Sequence, residues 1–170
     1  MCLNTFLMSL AVREWRLDVT TAAAWVAWLQ AAGLGGRLFW GWLAQRMRSA
    51  ASLLGALGLM IAGAGLFLMA GPIVHTGFGM VLLVGLLGFT ASGWNGVLVA
   101  EVSRIAGIRN AGALTGAVLM FGYAGLTLAP LAFAGFSELT SMAGAFMLLC
   151  ATAGAAGTAL LLTAPAATAP

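Results

Sequence analysis

Long apolar runs, each of twenty or more residues without a cluster of charge, constrain this chain more than any other feature. They cover residues 19–44, 50–70, 77–100, 111–135 and 141–162. An α-helix rises 1.5 Å per residue and the hydrocarbon core of a bilayer is about 30 Å thick, so roughly 20 apolar residues make one crossing. Each run is therefore read as a membrane-spanning helix. Composition points the same way: 62% of the residues are hydrophobic and 6% charged, whereas a soluble domain carries about 25% charged residues. The expected fold is all-α, a polytopic transmembrane helix bundle, with residues 1–170 as a single transmembrane domain. Residues 1–12 are apolar but too short to cross, and they read as the last half of a sixth span. A signal peptide with a cleavage site at Ser9-Leu10-Ala11 is the competing reading, but no positive segment precedes the run.

Short turns separate the runs at residues 45–49, 71–76, 101–110 and 136–140, which makes sequential helices antiparallel neighbours. Arg46 and Arg48 flank one turn and Arg104 and Arg109 another, both on one side, with Arg37 near that edge. The positive-inside rule makes that side cytoplasmic and puts the C-terminus there as well. The net charge of +3 comes from scattered arginines rather than a basic patch, so no nucleic-acid partner is expected. Cys2 and Cys150 lie far apart in apolar stretches, without a CxxC or a histidine cluster. They read as packing residues, and neither a metal nor a cofactor is expected.

Polar residues within the spans mark the faces turned away from lipid, because burying them in hydrocarbon is costly. Residues 50–70 carry nothing polar beyond Ser52 and are expected to face lipid along much of their surface. Gln30, Thr90, Asn95, Tyr123 and Thr127 sit on three other spans. Counting along each helix puts Gln30, Thr90 and Tyr123 near mid-bilayer, so a shared polar cavity is expected. The simpler alternative is that each bonds a neighbouring helix. Small residues at Gly88, Ser92 and Gly96, and the GxxxG pair Gly112 and Gly116, are expected at close helix contacts.

The stretch Gly36-Arg37-Leu38-Phe39-Trp40-Gly41-Trp42-Leu43-Ala44-Gln45-Arg46-Met47-Arg48 ends one span in a very short basic turn. It resembles the loop signature G-x-L-A-D-R-x-G-R-R of the major facilitator superfamily (MFS). Gly41, Leu43, Ala44 and Arg46 match, Gln45 replaces the acid, and Arg48-Ser49 replace Gly-Arg. Ser92 to Glu101, followed by Gly112 to Gly116, Gly122, Gly125 and Pro130, is similar to that family's tenth and eleventh helices. The resemblance covers essentially the whole chain and implies the C-terminal six-helix half of an MFS transporter, five full spans plus a partial first one, truncated at its N-terminus. It implies that residues 19–44, 77–100 and 111–135 line a central cavity while 50–70 and 141–162 are peripheral.

Such a half implies a secondary-active permease that moves a small solute by alternating access and is inactive without its N-terminal partner half. Its expected place is the lipid bilayer of a bacterial inner (plasma) membrane. No acid lies at mid-bilayer, so a coupling carboxylate is expected in the other half. Glu101 is expected to end its helix and to form a charge relay with Arg37, Arg46 or Arg48. Two other readings stand beside this one. The first is a membrane scaffold or assembly subunit without transport. The second is a rhomboid-like intramembrane serine protease, suggested by Thr90-Ala91-Ser92-Gly93; a serine nucleophile needs a base nearby, and the one histidine, His75, falls in the opposite-side loop. The sequence favours a non-enzyme.

Overall fold

The computed structural model describes residues 2–13, 16–47, 49–70 and 77–163, and every regular element among them is an α-helix. In chain order these are α1 (Cys2–Arg13), α2 (Val19–Arg46), α3 (Ala51–Ala70), α4 (Gly77–Ala91), α5 (Trp94–Leu139) and α6 (Met142–Thr163). Four helical stretches among the described residues are both long and apolar enough to cross a membrane: Ala51–Met69, Gly77–Gly107, Arg109–Leu139 and Met142–Thr163. The chain is thus an all-α, multi-spanning membrane bundle. The fifth expected crossing, residues 19–44, lies in the 28-residue α2. At about 42 Å that helix is long enough, but Gln30, Arg37 and many glycines and tryptophans dilute its apolar character and leave it outside this group.

Local chemistry sets the ends. Asp18 caps α2 from an extended backbone and accepts from the Thr21 amide at 3.1 Å, which satisfies one of the donors a helix N-terminus leaves open. At the other end Met47 turns into extended backbone while its amide returns to the Ala44 carbonyl at 3.3 Å. The expected loop at residues 101–110 is a correction: both flanking helices run on until they meet at Gly107. Its φ of 65° and ψ of 172° lie in a region open essentially to glycine alone. The turn expected at 136–140 shrinks to the two residues Thr140 and Ser141 between α5 and α6. The turn expected at 71–76, with His75, lies outside the described residues.

A break that composition concealed falls inside the expected span 77–100. Gly93 donates its amide to Thr90 at 3.2 Å instead of continuing the α-helical ladder to Phe89. The freed Phe89 carbonyl accepts the Trp40 indole N–H at 3.0 Å, so the interruption between α4 and α5 is satisfied from α2.

Packing follows two close pairs, α2 along α4 and α3 along α6. In the first, a side chain at Gly36 would overlap the Phe89 carbonyl, and one at Gly88 the Leu29 carbonyl. In the second, a Cβ on Gly58 would stand 2.8 Å from the Ala153 carbonyl, and one on Gly157 2.7 Å from that of Gly55. These backbones touch because glycines on each helix leave room for carbonyls of the other. This contact buries 39% of the Ala51–Met69 span, the largest share of the four, and leaves the greater part of it partly or fully exposed. Three apolar clusters fill the remaining space. One joins Leu7, Leu29, Leu68 and Val84; a second joins Trp40, Ala50, Leu57 and Val97; the third ties Phe133 of α5 to Phe146 and Cys150 of α6.

Candidate functional site

The most organised polar cluster joins the turn between α2 and α3 to α5. Glu101, nearly buried, accepts from the Ala50 amide at 2.8 Å and from the Ser49 hydroxyl at 3.0 Å. Its carboxylate therefore caps the start of α3, where the helix dipole favours negative charge. Arg104, one turn along α5, pairs with the same carboxylate at 2.6 Å and donates to the Ala44 carbonyl at 2.9 Å, at the end of α2. There the dipole favours positive charge. Two charges one helical turn apart thus hold the facing ends of two other helices, each with the sign that its helix end prefers.

The relay expected between Glu101 and Arg37, Arg46 or Arg48 is corrected accordingly. Glu101 does not end its helix but lies within α5, six residues before Gly107, and its ionic partner is Arg104. Arg46 stacks its guanidinium over the Trp42 ring at 4.0 Å. Arg37 is exposed and has no ion pair among the described residues, while Arg48 lies outside them. Of the other loop-motif residues, Ala44 is buried, Leu43 is half-buried against the second apolar cluster, and Gln45 is exposed. Gly41 lets Gly96 approach, a Cβ on Gly96 standing 3.6 Å from the Gly41 Cα. Sequence reasoning missed Ser49 and the Arg104 pairing. The available signal was the i, i+3 spacing of Glu101 and Arg104, which means contact only if residues 101–104 are helical.

The expected polar cavity is only partly assembled. Asn95 and Tyr123 come together, lining a shallow depression with Trp94, Leu119, Gly122 and Leu126. Its volume of about 50 Å³ is far below the 300 Å³ or more of an enclosed small-molecule site. Thr127 lies one turn further along and donates to the Tyr123 carbonyl at 3.0 Å. Gln30 is exposed on α2. Thr90 does not belong to this surface: it is fully buried and its hydroxyl bonds the Leu86 carbonyl of its own helix at 2.7 Å. Threonine satisfies itself in this way on a helix, so its polarity carried no information about a cavity.

The small-residue positions divide. Gly88 packs on the backbone of α2, and Ser92 faces Gly33, with its hydroxyl oxygen 2.5 Å from where a Cβ on that glycine would stand. Gly112 and Gly116 have nothing within 4 Å of their Cβ positions, so the expected GxxxG contact is absent among the described residues. Those residues also contain no group of three or more His, Cys, Asp or Glu side chains placed to hold a metal. Compared with protein-family models, with curated proteins and with solved structures, the chain matches none.

Proposed function

We propose that this chain is one six-helix half of an MFS-type secondary transporter, moving a small solute by alternating access together with a second half. The observation that carries this reading is the fastening of the Gly41-x-Leu43-Ala44-Gln45-Arg46 turn. That turn lacks the motif's own acid, and Glu101 supplies a carboxylate to it from α5, capping α3 while Arg104 holds the end of α2. A membrane turn tied this way is a contact that forms and breaks as helices rock, which is what a gate at one membrane face requires. On this reading α2 crosses the bilayer with the four more apolar spans, the Arg46 end is cytoplasmic, and the open surface at Asn95 and Tyr123 meets the partner half.

Solute flux tests the proposal. The chain is reconstituted in proteoliposomes alone and together with the product of the reading frame that precedes its own. Uptake that needs both chains supports the reading; absence of flux with a six-span partner present overturns it. A second reading, a membrane assembly subunit, draws on the exposure of Arg109–Leu139, of which only 6% is buried. It predicts stable co-purification with a partner and no uptake of any solute.

A further inference from the structure

We infer that Trp40 is a removable pin in the bend between α4 and α5: its indole occupies the place where the Gly93 amide would close onto the Phe89 carbonyl, and drawing it out lets the two helices join into one straighter rod. The bend is then a device by which α2 sets the shape of its neighbour. It belongs to the chain itself, whether or not the chain transports.

The bend lies deep in the membrane. Gly93 stands sixteen residues past Gly77 and fourteen before Gly107, about 24 Å and 21 Å from the two ends of that span. Hydrocarbon offers no water to an open carbonyl, so an interrupted helix at this depth needs a partner from the protein. Trp40 is that partner for Phe89, at 3.0 Å.

Nothing in the covalent chain enforces the interruption. No proline lies between Gly77 and Gly107, and no residue between them has a positive φ. Gly93 itself has helical angles, φ −74° and ψ −28°. On either side the ladder is in order: the Ser92 amide reaches the Gly88 carbonyl at 3.2 Å, and the Val97 amide the Gly93 carbonyl at 3.4 Å. A helix without proline kinks at Gly/Ser pairs or where a side chain enters the ladder. Here Ser92-Gly93 and Trp40 combine the two causes, and a side chain that has entered can also leave.

The same arrangement occurs a second time along α2, with a different outcome. Trp28 donates to the Val81 carbonyl at 2.9 Å, and Gly85 stands four residues after Val81, as Gly93 does after Phe89. Yet α4 runs unbroken through Val81 and Gly85. The two sites differ in how far the ring has entered. At Gly85 the atom nearest the Cβ position is the indole nitrogen, at 2.9 Å; at Gly93 the Trp40 Cδ1 overlaps that position, with Cγ next at 2.8 Å. Trp28 thus touches an intact helix with its nitrogen, whereas Trp40 presses the root of its ring onto Gly93. An indole bond alone leaves a helix whole; a ring wedged onto the following glycine opens it. Phe39 and Phe89 hold the wedge in place, their ring centroids 5.0 and 5.5 Å from that of Trp40.

The distance between spin labels on Phe78→Cys and Ile105→Cys, in a Cys2→Ala, Cys150→Ala background in nanodiscs, measures the bend. Both positions are more than 70% exposed, and they lie twenty-seven residues apart. Trp40→Phe keeps an aromatic ring that is smaller and has no N–H, and is expected to lengthen the distance toward the roughly 40 Å of a straight helix. Gly93→Ala adds a methyl group where the ring now lies, expels the indole and favours helix, and is expected to lengthen it as well. Trp28→Phe removes an indole bond from a helix already whole and leaves the distance at that of the background chain. An unchanged distance in Trp40→Phe overturns the pin, as does equal lengthening by Trp28→Phe. Should Trp40→Phe fail to fold, Gly93→Ala decides: lengthening there supports the pin and an unchanged distance overturns it.

Discussion

The α3–α6 pair and the helix Arg109–Leu139 are built from similar residues and end up in opposite situations. Both are apolar and rich in glycine. In α3 and α6 the glycines face one another, and carbonyls of one helix stand under 3 Å from the Cβ positions of the other. Along Arg109–Leu139, Gly112, Gly116, Gly125 and Gly135 face open space, and Phe121, Tyr123 and Leu131 are each more than 60% exposed. Small residues thus permit close approach without causing it; the contact needs a second small surface in register. Water would expel the exposed helix from this position, but lipid tails are as apolar as leucine and leave it in place.

The largest test of this contrast is to add volume on each side. Gly157→Val drives methyl groups into the Gly55 and Gly58 backbone, which cannot yield as a side chain does, and is expected to cost about 3 kcal/mol. Gly116→Val is expected to stay within about 0.5 kcal/mol, because nothing stands near it. Reversible unfolding in mixed micelles measures both, and equal losses break the comparison. Next in size is the fastening on the near side of Gly107. Glu101→Gln leaves Arg104 without its ionic partner and the start of α3 without a carboxylate, at an expected cost of about 2 kcal/mol. Arg109→Gln, beyond the hinge, is expected to be nearly neutral in the same assay.

Gly107→Ala sharpens the boundary between the two regions. It places a side chain where φ is 65° and ψ 172°, at about 1–2 kcal/mol. The visible result is a changed distance between spin labels at Val99 and Ala117, one on each arm of α5. The smallest effect concerns the cap of α2. Thr21, through its hydroxyl and then its amide, holds the Asp18 carboxyl below the usual carboxylate range. A lowered carboxylate contributes its stability above its unfolded value and loses it as the pH falls through the folded one. Amide exchange at Thr20 and Thr21 is therefore expected to quicken below about pH 4, and Asp18→Asn should abolish that dependence.

Span length made most of this fold readable in advance. Residues 50–70 and 141–162 became Ala51–Ala70 and Met142–Thr163, each within one residue at either end. Glu101, Ser103, Arg104, Arg109 and Asn110 misled because a dense polar patch in an apolar chain looks like a loop. Helical spacing and the ends of α2 and α3 satisfy Glu101 and Arg104, so the backbone stays helical. The break at Ser92 and Gly93 stayed hidden because Ser92 also suits a packing stripe, and the compensating Trp40 lies some fifty residues earlier. Burial of α3 could not be read at all: an apolar surface has the same composition whether lipid or α6 covers it. For the site, the sequence supplied Asn95, Tyr123 and Glu101, and the fold brought Asn95 to Tyr123 and Glu101 to Ser49, Ala50 and Arg104.

Gly107 and Pro130 together give the second arm of α5 a definite mechanical character. The arm is pinned at one end by a single glycine and at the other by Phe133 against Phe146, with only Thr140 and Ser141 before α6 begins. A strut held at both ends bows rather than swings. Pro130 has no amide hydrogen to give the Leu126 carbonyl, which removes one rung of the ladder there. The most compliant stretch of this strut therefore begins at the Leu126 wall of the depression, one turn from Tyr123, so that bending the helix and reshaping the candidate site are the same displacement.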